Sequence, residues 1–309
     1  MVLCCRRPQK TINGLVEGGM ANKNNNNSNN VNRGGYYYGR SGGTSSSGDG
    51  GGGGIEYLCE AFLRLPSATN GMGYDVDHDN DNDNDAVVSM RVFGNKESNG
   101  CSRNVLVVYW SGKTSTIPIE KNDDTTTKQT QHEASSSSSS AAAATTTIAI
   151  TACEIQRLIS SMKEKLSKLE MGQQSNIQNK VGRDSVLLLG YGLLYLLADV
   201  YGIYELHEEL THDDATMFGR TGKDDIMEFK KSYLPSSYAS SSSRSSLVVP
   251  NYYIDSIHEI DVLNYCVVAN FVCYIPGKEG KGTDVAKFDP STTWKVLNVE
   301  AIRHGSNII

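Results

Sequence analysis

The chain has 309 residues and a formal net charge of −6, from 29 Lys and Arg against 35 Asp and Glu. With no basic stripe to displace counterions from phosphate, nucleic acid is excluded as the expected main partner. Length alone would suggest two domains. Much of the sequence, however, cannot bury apolar surface: 22–54 is rich in Asn, Gly, Ser and Tyr, 75–85 alternates Asp with polar residues, 122–147 is mostly Thr, Gln, Ser and Ala, and 236–246 is almost all Ser. Such segments lack the apolar area to offset roughly 1–2 kcal/mol of backbone entropy per residue, so disorder is expected before about 55 and across 66–85, 121–146 and 236–247. Homopolymer runs of this kind fit a nucleated cell. Roughly 170–190 residues remain, enough for one domain or for one domain with an accessory hairpin. The expected division is a low-complexity tail (1–54), an accessory helix and β-hairpin with an acidic linker (55–120), a linker (121–147) and an α+β domain (148–309).

In chain order, apolar residues at 55, 58, 59, 62, 63 and 65 have helical spacing, and Pro66 stops the helix. Residues 86–93 and 104–110 read as strands. A Ser111-Gly112-Lys113 turn and a return strand at 114–120 complete a hairpin, with Pro118 restricting that strand to an edge or an end. Residues 151–170 form the best-signalled helix: Thr151 and Glu154 make a capping box, and Ile155, Leu158, Ile159, Met162, Leu166 and Leu169 line one stripe. A second helix is predicted from Asp184 to about 210. Gly190, Gly192 and Gly202 inside it each cost about 1 kcal/mol relative to Ala, so packing must support the helix there or break it. Its most apolar part, 186–198, falls short of the ~20 residues a bilayer needs and reads as a core helix. A third helix spans 223–234, with Asp224 and Asp225 at its N-terminus. Strands follow at 252–262, 265–275, 283–288 and 294–303. The expected core includes Leu194, Leu197, Val268, Phe271, Trp294 and Val296.

Three passages carry a family resemblance: HDDATMFGRTGKDDIMEFKKSYL (212–234), YCVVANFVCYI (265–275) and STTWKVLNVEAIRHG (291–305). In this order they resemble the nuclear transport factor 2-like (NTF2-like) superfamily, which includes ketosteroid isomerase, scytalone dehydratase and SnoaL-type cyclases. The resemblance covers about residues 184–305. It implies an α+β fold, helices packed on a strongly curved antiparallel sheet that forms a cone, and often a homodimer through paired sheets. It also implies one of two functions. The first is a protein-binding adaptor or small-ligand binder; the second is an isomerase, dehydratase or cyclase acting on a small apolar substrate by acid/base chemistry in the cone pocket.

Family enzymes place a carboxylate, Tyr or His in that pocket, with burial tuning its pKa. The candidates here are Asp199, Tyr195 and His212, with Tyr201 and His207 nearby. Asp199 is a lone carboxylate in an apolar run, either a pocket acid or base or a solvent-facing residue of an amphipathic helix. No catalytic set of the family maps residue by residue. His212, Asp213 and Asp214 read as a loop entering a strand, because His207 is five residues away and on the wrong helical face for a shared metal. The 75–85 run lacks the Gly and closing Glu of a calcium loop, and the glycines at 47–54 follow no strand, so neither a metal nor a cofactor is expected.

The seven cysteines show no CxxC pair or zinc spacing, which points to reduced thiols; Cys153, Cys266 and Cys273 read as buried small hydrophobes. Cys4 and Cys5 stand beside Arg6 and Arg7, similar to the dual acylation segment of neuromodulin-type proteins. Two acyl chains with basic neighbours would give a cytoplasmic protein peripheral membrane association. The acid-poor start, with Glu17 the only acid in 1–48, alternatively reads as an organelle-targeting segment or an unmodified tail.

Overall fold

The computed structural model describes residues 54–66, 85–94, 103–119, 150–171, 180–236, 238, 246–273 and 280–304. The low-complexity segments, the acidic run and both N-terminal cysteines lie outside the described residues. The described chain runs α1 (Ile55–Arg64), β1 (Val87–Gly94), β2 (Arg103–Tyr109), β3 (Thr114–Ile119), β4 (Ile150–Thr151), α2 (Ala152–Met171), α3 (Lys180–Tyr201), α4 (Tyr204–Leu210), β5 (Thr211–Met217), β6 (Arg220–Thr221), α5 (Lys223–Tyr233), β7 (Leu247–Val248), β8 (Tyr252–Asp261), β9 (Cys266–Cys273), β10 (Gly280–Asp289) and β11 (Lys295–Arg303).

Nine strands form one sheet in the order β3-β2-β1-β8-β9-β10-β11-β5-β6, and β4 pairs separately with β7. The sheet is antiparallel except where β11 meets β5, which run parallel. The chain is thus a mixed α+β protein. Register shifts interrupt β1, β8 and the β10–β11 pair, and each adds local twist. Pro118 sits in β3, the edge strand, where its missing N–H breaks no ladder.

Residues 55–120 are not an appendage. β1 joins β8 through Met90↔Ile257, and Leu58, Cys59 and Phe62 of α1 belong to the same buried core as α2, α3 and the sheet. Lys165 of α2 fastens α1 directly. Its buried ammonium donates to the carbonyls of Phe62 (2.8 Å), Leu63 (3.2 Å) and Leu65 (2.5 Å) at the C-terminal end of α1. The separation expected from sequence failed because the low-complexity stretch between the two parts is no guide to which strands pair.

The capping box at α2 forms as its residues dictate: Glu154 N–H donates to Thr151 Oγ1 at 3.2 Å, and Thr151 N–H to Glu154 Oε2 at 2.8 Å. The expected 184–210 helix is divided. Gly202 adopts φ +63, Ile203 N–H reaches back to Ala198 O at 2.9 Å, and α4 restarts at Tyr204. The other two glycines permit close packing. A Cβ at Gly190 would lie 2.6 Å from the Phe62 ring and 2.7 Å from Leu166, and one at Gly192 would lie 2.9 Å from Val267. α3 thereby touches α1 and α2 on one side and β9 on the other. By length and composition α3 could cross a membrane, but 94% of its apolar window is buried within the protein. Gly190→Ala should destabilise the protein by about 1–3 kcal/mol in urea unfolding, because overpacking against a buried ring outweighs the ~1 kcal/mol gain in helix propensity.

Leu194, Leu197, Phe271, Trp294 and Val296 are buried as expected. Val268 is not: the alternation of β9 buries Val267, Ala269, Phe271 and Cys273 and leaves Val268 half-exposed. Cys153, expected inside, is exposed on the first turn of α2, and Cys266 is half-buried; Cys273 is buried.

Candidate functional site

The last two turns of α3 place Tyr195 and Asp199 four residues apart, on one face of the helix. The Gly202 turn folds α4 back so that His207 meets them, and α5 brings Lys230 across. Lys230, 3% exposed, ion-pairs with Asp199 Oδ1 and donates to Tyr195 Oη at 3.2 Å. His207 Nε2 lies 2.8 Å from the same Oδ1 but off the line of a ring N–H, a close polar contact and not a directed hydrogen bond. Its ring meets that of Tyr195 edge-on, with centroids 5.1 Å apart. Asp199 is therefore not a solvent-facing residue, since α4 and α5 cover the face it occupies.

Burial alone would raise the Asp199 carboxyl, but the Lys230 ammonium and then His207 hold it well below the usual carboxylate range. Burial, reinforced by Lys230 and only partly offset by Asp199, lowers His207 and keeps the imidazole neutral. Burial drives the Tyr195 phenol far up. The cluster is thus a compensated ion pair flanked by two neutral rings, a floor with little capacity to take up or release protons near neutrality.

Above this floor lies a cavity of ≈ 380 Å³ between α3, α5, the β5–β6 turn and strands β8 to β11. Its walls are mainly apolar: Phe218, Phe229, Ile254, Phe271 and Val299, with Tyr252 set edge-on to Phe271 at 5.7 Å. Phe218 occupies a left-handed conformation (φ +51) beside Gly219 (φ +78) in the two-residue β5–β6 hairpin, and its ring is 46% exposed at the cavity rim. Such a turn favours Asn and Gly, so a bulky aromatic is held there at a cost of about 1–2 kcal/mol.

The sequence reading missed Asp284. It projects from β10 into the cavity, and among the described residues it makes no hydrogen bond or ion pair. Burial and then the negative charge of Asp199 raise its carboxyl to about 7, against a smaller opposing pull from Lys230. A signal existed in the alternation of β10, where Gly282, Ala286 and Phe288 are buried and Asp284 shares their parity as the carboxylate on that face.

His212 lies elsewhere. It is in β5, where Nδ1 accepts from Asp214 N–H at 3.0 Å and Nε2 stands 4.0 Å from Asp289 Oδ2. It does not line the cavity. Among the described residues no group of three His, Cys, Asp or Glu is placed to hold a metal ion. A wider groove of ≈ 610 Å³ runs along the sheet beside Arg91, His258 and Lys281, more open to solvent and more polar than the cavity. No protein-family model matches the sequence, and no curated protein is significantly similar to it.

Proposed function

We propose that the chain is an NTF2-like small-ligand protein whose cavity takes one mainly apolar molecule and exchanges a proton with it at Asp284. The observation that carries this reading is the Asp284 carboxyl, without a hydrogen-bond or ion-pair partner among the described residues and held near neutrality, in an aromatic-lined cavity of ≈ 380 Å³. That volume lies within the range of small-molecule sites, about 300–1,000 Å³. A carboxyl near the working pH is suited to act as base and then as acid toward a C–H next to a carbonyl. The order of helices and strands, α2, α3–α4, β5–β6, α5 and then β8–β11, follows the order on which the resemblance was drawn. The protein-binding adaptor reading rests on the low-complexity arms, outside the described residues, and draws no support from the cavity.

The test screens the full chain by thermal shift against small aromatic and alicyclic carbonyl compounds. Solvent deuterium incorporation into the hits is then measured by mass spectrometry. Compounds should bind both wild type and Asp284→Asn, with exchange slowed about 10²-fold or more in the variant. The absence of any hit, or exchange unaffected by Asp284→Asn, would overturn the proposal.

A further inference from the structure

The inner end of the cavity holds the Asp284 carboxyl beside the compensated Asp199–Lys230 pair. The outer end is basic. Arg303, the last residue of β11, lines the mouth and is exposed there. It is placed by the register of the sheet: Asp284 faces Ala301 across the β10–β11 ladder and Gly282 faces Arg303. Asp284 and Arg303 are therefore diagonal neighbours on one face, with backbones about 7–8 Å apart. Gly282 lacks a side chain, which leaves room on that face for the Phe271 ring opposite it on β9.

Arg303 Nη2 donates to Tyr233 Oη at 2.9 Å. Tyr233 in turn stacks on Phe229, with ring centroids 5.2 Å apart. One contact thus orients the guanidinium, which carries five N–H donors in all. Among the described residues no carboxylate ion-pairs with Arg303. The other cations around the cavity are neutralised: Lys230 by Asp199, and Arg220, whose guanidinium stands over Phe229, by Asp225.

We infer that the ligand is an amphipathic anion, an apolar body ending in a carboxylate or comparable oxyanion, bound with the anion at Arg303 and the body running inward along Phe229 and Tyr233 toward Asp284. A guanidinium with donors to spare and a fixed plane recognises an oxyanion with two parallel hydrogen bonds. The inner end offers an anion no unpaired cation among the described residues and presents the Asp284 carboxyl instead, so the two ends of the cavity set a single orientation. That orientation places the far end of the apolar body, not the anionic head, beside the carboxyl that exchanges the proton.

The inference rests on the cavity being a ligand site, as proposed above, and the test separates the two. Two fluorescent probes share a ring system and differ in charge: 1-anilinonaphthalene-8-sulfonate and neutral N-phenyl-1-naphthylamine. Titrated into the full chain, they should displace each other, with the sulfonate about tenfold tighter, as expected for a charge-assisted contact at a partly exposed site. Arg303→Gln should weaken the sulfonate about tenfold and leave the neutral probe within twofold, and Arg303→Lys should restore part of the difference. Arg303 is exposed, and circular dichroism checks that the variants fold. If both probes compete but Arg303→Gln leaves their ratio unchanged, the anionic ligand is refuted and the cavity stands. If neither probe binds, or they do not displace each other, the ligand-site reading falls and this inference with it.

Discussion

Replacing Asp199 with Ala should lower the unfolding free energy by about 3–5 kcal/mol, since it strands the buried Lys230 ammonium without a counter-charge. Replacing the pair together, Asp199→Leu with Lys230→Met, should cost far less, because no uncompensated charge remains. Urea unfolding of the wild type, Asp199→Leu, Lys230→Met and the double variant gives the coupling directly. A double variant as unstable as Asp199→Ala would show that the pair acts through packing alone. The pH dependence has a definite sign. The folded-state pKa of Asp199 is depressed, so its stabilisation is fully present above the unfolded value of about 4 and is lost as pH falls through the folded one. The wild type should show that acid-side loss below about pH 4, and the double variant should lack it.

Stability should also fall between about pH 5 and pH 8, and Glu56→Gln should remove much of that fall. Glu56, on the first turn of α1, has a buried Oε2 without a hydrogen-bond partner, and burial raises its carboxyl to about 7, against a smaller backbone hydrogen bond. Between the unfolded value near 4.5 and the folded value the native state holds a proton that the unfolded chain has released. The unfolding free energy therefore declines as pH rises through that window, by about 2–3 kcal/mol for Glu56. Asp284, raised for the same leading reason, adds to the decline. His207 opposes both: its depressed folded pKa means that the unfolded chain takes up a proton first as pH falls below about 6.5. The decisive quantity is the difference between wild type and variant in urea midpoint at pH 5 and pH 8. If Glu56→Gln leaves the slope unchanged, the buried carboxyl is not its source.

These two predictions draw on groups that differ in how readily the sequence reveals them. Asp199 stands out because an ionisable residue interrupts the run LLLGYGLLYLLADVY, and Tyr195 lies one helical turn before it. Their partner Lys230 does not stand out. In KDDIMEFKKSY it reads as one of several charges on a surface helix, and only the docking of α5 onto α3 turns it inward. Helix and strand spans were legible because capping, glycine position and alternation are local. The parity of Val268, the pairing of β1 with β8 and the exposure of Cys153 were not, because each depends on which surface a neighbour covers. Asp284 lies between these cases: its alternation is local, but which face of β10 is covered is not.

The position of β11 bears on how the protein acquires any function. This strand follows every other strand of the sheet in sequence, yet in space it lies inside the sheet, bonded to β10 on one side and β5 on the other. Until it docks, the β5–β6 hairpin has no connection to the main sheet. The cavity also lacks the wall supplied by Val299, Ala301 and Arg303. The β11–β5 pairing, Val296↔Thr211, is a non-local contact, and it is the one that joins the hairpin to the sheet and completes the cavity wall. A chain in which β11 has not docked lacks this wall, so the cavity is complete only once that strand is in place.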